Sequence, residues 1–205
     1  MNEFFKLDGK FYKYGTLLAD LIILTLIWYL CCIPVITFGA ATTGMYYVTT
    51  RQLSNREGYV TRDFFKSFKS NFLQATIMTL LLFVVIAIVF VNIVYLNGAS
   101  IFYPIQFIIC YEAIIISIYC FPILSRFDMK TGQILKTAFF MANKHLLTTW
   151  TCLLLLVAMV LICLKYPILL VLCAGIYGIL TSLMFMKVFR KYNPELDKPE
   201  NGNIY

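Results

Sequence analysis

The sequence predicts an all-α fold: a polytopic membrane helical bundle of about five transmembrane helices, with one or two amphipathic helices on the cytoplasmic side. The 205 residues are 61% hydrophobic and 13% charged, whereas about a quarter of the residues in soluble domains are charged. The mean hydropathy is +0.82. Several apolar stretches also reach the roughly 20 residues that cross a hydrocarbon core as a helix. Lipid is therefore the predicted environment of most of the chain.

The predicted spans follow one another in a single transmembrane domain that comprises residues 1–205. Pro34 lies near the end of the first span and Pro122 near the end of the third, where a proline terminates or kinks a helix. Residues 190–205 are polar, and we expect a flexible tail there. The spans cover about residues 15–36, 72–96, 101–124, 146–164 and 167–186.

Residues 39–53, between the first two spans, are rich in glycine, alanine and threonine. We expect a short helix in this segment. Its composition leaves two positions open, one in the interfacial layer and one tucked into the bilayer.

Two basic stretches between spans have the periodicity of amphipathic helices. In residues 61–72, phenylalanines recur at helical spacing and the opposite face is basic. In residues 133–145, a second apolar face opposes lysine and asparagine. Such helices lie in the headgroup layer, so we expect both on the cytoplasmic surface, where the first either anchors to anionic lipid or docks to a partner. The basic face of the first consists of Arg62, Lys66 and Lys69, and the apolar face of the second consists of Leu135, Ala138, Phe139 and Ala142.

The lysines and arginines between the spans predict an orientation. With five spans, the loops after the first and third spans and the tail are more basic than the other connections. The positive-inside rule then places the N-terminus outside and the C-terminus in the cytoplasm of a plasma-membrane protein. Because membrane topology accounts for these cations, we expect no nucleic-acid partner.

Four polar residues inside the predicted spans are candidates for function: Asp20, Asn92, Gln106 and Glu112. A carboxylate near the bilayer centre costs about 2.5–3.5 kcal/mol and usually faces a protein interior. Glu112 lies near the middle of its span, and two roles stay open for it, a hydrogen bond that joins helices and a proton or substrate site. Asp20 lies nearer the end of a span, where it could reach the interface or pair with Lys165.

The sequence lacks the residue patterns of common enzyme and metal sites. It contains no GxSxG, HExxH or phosphate-binding loop, and His145 is its single histidine. The seven cysteines lie in or beside apolar stretches without a CxxC pair, so we expect buried thiols. We therefore expect a protein that is not an enzyme and that binds neither a metal nor a cofactor.

A series of short motifs extends over residues 19–76. They read ADLI at 19–22, IPVITFGA at 33–40, EGYV at 57–60, RDFFKSFK at 62–69, NF at 71–72 and QAT at 74–76. Together they resemble the YesL family of bacterial integral membrane proteins, a family without an assigned activity. Members tend to be encoded beside carbohydrate ABC importers, so the resemblance implies a role near such an importer in a Gram-positive bacterium.

Two functions are consistent with these observations. The first is a non-enzymatic accessory subunit or regulator that binds the permease subunits of a carbohydrate ABC importer. The alternative is an autonomous small-solute transporter or channel, in which Asp20 and Glu112 line the path.

Overall fold

The computed structural model describes residues 10–53, 59–95 and 103–192. This part of the chain is almost entirely helical and contains no strand, which confirms the all-α prediction. Five helices are long and apolar enough to cross a membrane, so the chain is a multi-pass membrane protein. Residues 193–205, most of the predicted tail, lie outside the described residues. The helices are α1 (Lys10–Cys32), α2 (Phe38–Leu53), α3 (Val60–Tyr95), α4 (Tyr103–Leu124), α5 (Thr131–Lys144), α6 (Leu146–Lys165) and α7 (Leu170–Tyr192).

The two prolines at the predicted span ends occupy different positions. Helix α1 ends at Cys32, and Pro34 precedes a short 3-10 turn, Val35–Thr37. Helix α4 instead continues past Pro122 to Leu124. Proline removes one backbone donor, and so close to the end of a helix this loss does not stop the chain from completing its last turn.

Helix α2 lies in the centre of the bundle. All residues from Gly39 to Thr50 except Tyr47 are buried, and α1, α3, α4 and α7 surround them. Its 16 residues correspond to about 24 Å, somewhat less than the hydrocarbon core. Of the two positions that the sequence left open, this arrangement corresponds to the tucked-in helix, which here is enclosed by protein rather than by lipid.

Glycine permits close packing on two sides of α2. The ring of Phe64 on α3 lies against Gly44, where a Cβ would be 3.1 Å from two ring carbons. Met45 lies against Gly178 on α7, where a Cβ would be 3.2 Å from the methionine sulfur. Small residues let helices approach closely inside membranes, and van der Waals packing then holds them together.

Several pairs of helices that follow one another along the chain run antiparallel. Trp28 Nε1 donates to Thr42 Oγ1 at 3.4 Å across the turn between α1 and α2, as expected for a hairpin. Other antiparallel contacts join the end of α2 to the start of α3 (Arg51 with Asp63), α4 to α5 (Glu112 with Asn143) and α6 to α7 (Cys152 with Met184, His145 with Tyr192).

Helices α2 and α7 run parallel to each other. Met45 lies against Gly178, and one turn further on Thr49 Oγ1 is 2.7 Å from Ser182 Oγ. Because α1 is antiparallel to α2, α1 begins at the end of the bundle where α7 ends. The predicted orientation, which counted five passes and placed the termini on opposite sides, stays a prediction. Helix α2, which is rich in threonine, was not among the predicted spans.

The first predicted amphipathic segment, residues 61–72, is not a separate surface helix. It forms the beginning of α3, a continuous helix of 36 residues without an internal glycine or proline. Phe64 is fully buried and stacks on Phe68 at 6.0 Å between ring centroids. Phe64 thus packs against α2, because the missing side chain of Gly44 admits its ring, whereas Phe65 and Phe72 are exposed.

The second amphipathic segment, predicted at 133–145, forms α5 and packs along α4. Its buried face differs from the predicted one by about one residue, and Phe139 is 43% exposed. Contact with α4 selects this face, whereas the sequence pattern fits either. The buried residues are Ile134, Ala138, Met141 and Ala142.

Candidate functional site

An apolar crevice separates α6 from the group formed by α1, α2 and α7. Its volume is about 410 Å³, within the range of small-ligand sites. In α6, a helix that the structure describes completely, only Thr149 and Cys152 are buried. Helix α6 is thus attached loosely, and the crevice is open beside it. The lining includes Trp28, Met45, Leu156, Met159, Ala174 and Tyr177.

Two polar side chains in the wall of this crevice, Trp28 and Thr42, bond to each other. The Thr42 hydroxyl donates to the Phe38 carbonyl at 2.7 Å and accepts the 3.4 Å bond from Trp28 Nε1. Buried polar groups that bond internally avoid most of the cost of removal from water. The crevice therefore presents a mostly apolar surface.

A cluster of hydroxyl groups behind this wall joins α2 to α7. The Tyr46 hydroxyl is 3.2 Å from Thr181 Oγ1, and Thr49 is bonded to Ser182. Thr181 also donates to the Tyr177 carbonyl one turn earlier in its own helix. Hydrogen bonds between transmembrane helices each contribute about 0.6 kcal/mol on average, so the cluster fixes the register of α2 more than it adds stability.

The predicted carboxylate candidates have different surroundings. Glu112 is half-buried on α4, and its Oε2 accepts a hydrogen bond from Asn143 Nδ2 on α5 at 3.2 Å. This contact corresponds to the first of its two open roles, a bond that joins helices. Asp20 is half-buried on α1, next to Leu21, whose carbonyl lies against Gly175 of α7.

The two predicted amide candidates also lie on different helices. Gln106 is buried near the start of α4, and its Oε1 has no hydrogen-bond partner among the described residues. A buried unpaired acceptor costs about 1–3 kcal/mol. Asn92 is half-buried in the last turn of α3.

An ion pair joins α2 to the basic first turns of α3. Arg51 Nη1 donates to Asp63 Oδ1 at 2.7 Å, and the Asp63 side chain is only 10% exposed. Arg62, Lys66 and Lys69 are exposed beside this pair, as the amphipathic pattern predicted. Arg51 was not among the predicted residues, because its partner lies on the next helix and sequence periodicity does not pair residues of different helices.

Aromatic and basic side chains meet where α7 ends. His145 lies between α5 and α6, and its Nε2 is 2.9 Å from the Tyr192 hydroxyl, while Lys144 Nζ lies 5.2 Å from the Tyr192 ring centroid. Partial burial, together with the positive charges of Lys191 and Lys144, lowers the pKa of His145 below its usual 6.5. The neutral imidazole is therefore favoured at this basic end of the bundle.

A family model described as "Protein of unknown function, DUF624" matches residues 21–93. The match begins at Leu21 of α1, includes all of α2 and ends at Ile93 in the last turn of α3. This part of the chain is thus similar to the DUF624 family. The YesL family belongs to DUF624. No curated protein and no solved structure matches the chain.

Proposed function

We propose that this protein is a non-enzymatic accessory subunit or regulator in the membrane, and that its crevice binds a transmembrane helix from the permease of a carbohydrate ABC importer. The open, apolar crevice beside the loosely attached α6 is the observation that carries this proposal. Van der Waals contact with a second helix would cover this surface. The choice of an importer as partner rests on the YesL resemblance.

The chemistry of the crevice supports binding rather than catalysis. Trp28 and Thr42, two of its hydrogen-bonding side chains, are bonded to each other. The described residues also contain no group of three or more His, Cys, Asp or Glu side chains that could hold a metal ion. Shape and apolar contact would then provide the affinity for a partner helix.

We also propose that the start of α1 and the end of α7 both face the cytoplasm. Of the 14 lysines and arginines in the described residues, only Lys165 belongs to the end of the bundle where α6 joins α7. The others belong to segments at the opposite end, and the positive-inside rule favours the cytoplasm for that end. In this orientation the positive charges are more strongly concentrated on the cytoplasmic side than they are with five spans and the N-terminus outside.

Reporter fusions test this orientation. A fluorescent protein that folds only in the cytoplasm should be fluorescent when it is fused before α1 and also when it is fused after α7. A phosphatase that is active only outside the cell should be active when it is inserted after Lys165 and inactive at the two termini. An active phosphatase fused before α1 would contradict the proposal and support the five-span orientation.

Two adjacent positions on α6 test the crevice as a docking site. Val160 lines the crevice, whereas Leu161 does not and is 60% exposed. Val160→Trp should fill the crevice and lower the recovery of permease chains in copurification by about tenfold, which corresponds to roughly 1.4 kcal/mol of binding free energy. Leu161→Trp is the matched control and should bind as the wild type does.

Copurification from native membranes, in mild detergent and with a mass-spectrometric inventory, is the measurement. Equal recovery with both variants would contradict docking in the crevice. A wild-type protein that is folded and never recovers a permease chain would contradict the proposed function.

A further inference from the structure

We propose that Cys163 and Cys173 form a reversible dithiol–disulfide pair that links α6 to α7. Their Sγ atoms are 2.9 Å apart. The Cys152 Sγ and Met184 Sδ atoms, which belong to the same two helices, are 4.0 Å apart. The close approach is thus specific to the end of the hairpin, beside the turn that follows Lys165.

The geometry of the hairpin explains the pairing. Antiparallel helices with a short connection bring residues on either side of the turn together, although these cysteines have no CxxC spacing. A disulfide has an S–S bond of about 2.05 Å, so the two sulfurs would need to approach by about 0.9 Å. Cys163 is half-buried and Cys173 is 8% exposed.

The position of the pair gives the link a structural consequence. Both cysteines line the crevice, and α6 has few other buried residues. A covalent link would therefore fix the wall of the crevice relative to α7. The proposed orientation places this turn outside the cytoplasm, where disulfides persist. The pairing itself depends on neither the importer nor the orientation.

Oxidation of the pair requires a disulfide oxidant, such as an extracytoplasmic thiol–disulfide oxidoreductase. The more exposed Cys163, as its thiolate, attacks the oxidant disulfide and forms a mixed disulfide, which releases one thiol of the oxidant. The Cys173 thiolate then attacks the Cys163 sulfur and releases the second thiol. The two cysteines lose two protons and two electrons, and the oxidant disulfide is reduced to two thiols.

The chain offers a direct test, because Lys165 lies between the two cysteines. Membranes that contain the full-length protein are incubated with oxidised glutathione, the free thiols are blocked, and the denatured protein is digested with trypsin without reductant. Peptides 145–165 and 166–187 should be recovered as one disulfide-linked species. Treatment with dithiothreitol before blocking should abolish the link.

Two variants assign the link to the proposed sulfurs. Cys163→Ala should remove the linked species completely. Cys152→Ala changes the other cysteine of the same peptide and should leave it intact. Recovery of wild-type protein with blocked thiols at Cys163 and Cys173 after oxidation would overturn the proposal, and so would a link that survives Cys163→Ala.

Discussion

Replacement of Gly39 by leucine is expected to lower the free energy of unfolding by about 3 kcal/mol, because three helices meet at this position. A Cβ at Gly39 would lie 2.6 Å from Phe121 Cε1 of α4 and 2.9 Å from the Ala75 carbonyl oxygen of α3, and it would also clash with the Thr79 side chain. The phenylalanine ring can rotate, but a carbonyl oxygen inside a helix cannot move away without displacing α3. The added side chain should therefore force α2 out of its place.

Thermal unfolding of the purified protein in detergent measures this effect, together with the fraction that elutes as a single species. Gly132→Leu is the matched control, because nothing lies within 4 Å of a Cβ at Gly132 in the first turn of α5. We expect the control to change the free energy of unfolding by no more than about 0.5 kcal/mol. Equal stabilities of the two variants would contradict the central position of α2.

Asp63→Ala is expected to lower the free energy of unfolding by about 2 kcal/mol. The substitution leaves the Arg51 guanidinium, bonded to Asp63 at 2.7 Å, without this carboxylate. Removal of one partner from a fully buried ion pair costs about 3–5 kcal/mol, and solvent reduces the cost here because Arg51 is 26% exposed. The variant also loses a negative charge from the first turn of α3, where it interacts favourably with the helix dipole.

A double-mutant cycle separates these two contributions. Arg51→Met removes the other partner, so the non-additive part of the double variant measures the ion pair, which we expect to contribute about 1–2 kcal/mol. Asp128→Ala, at an exposed aspartate in the connection between α4 and α5, is the control and should be close to neutral. Additive effects of the two single variants would show that the pair does not join α2 to α3.

The helices that could be predicted from the sequence are those whose side chains are exposed to lipid. Helices α1, α3, α4, α6 and α7 expose large apolar residues to the surroundings, and hydropathy therefore identifies them. Helix α2 has the opposite character, since its threonines bond to the carbonyls of the preceding turn and its glycines contact other helices. Hydropathy detects exposure to lipid, so it does not identify a helix that is surrounded by protein.

The candidate site was less predictable than the fold. Composition indicated which residues are unusual in a membrane, such as Glu112, but not that Asn143 on α5 is its partner. The crevice likewise consists of ordinary apolar residues from four helices, and none of them is distinctive in sequence. Only the pairing of helices brings these residues together.

The sequence by itself determined the environment of this protein, the number of strongly apolar helices and the concentration of positive charge in particular connections. These properties depend on the transfer of each side chain between water and lipid, and neighbouring residues in the chain are enough to define them. Only the tertiary structure decided that α2 is central and that α1 begins at the end of the bundle where α7 ends. It also decided that the Cys163 and Cys173 sulfurs are in contact. These features depend on contacts between helices that are distant in the chain, where close packing selects one arrangement among many that hydropathy allows.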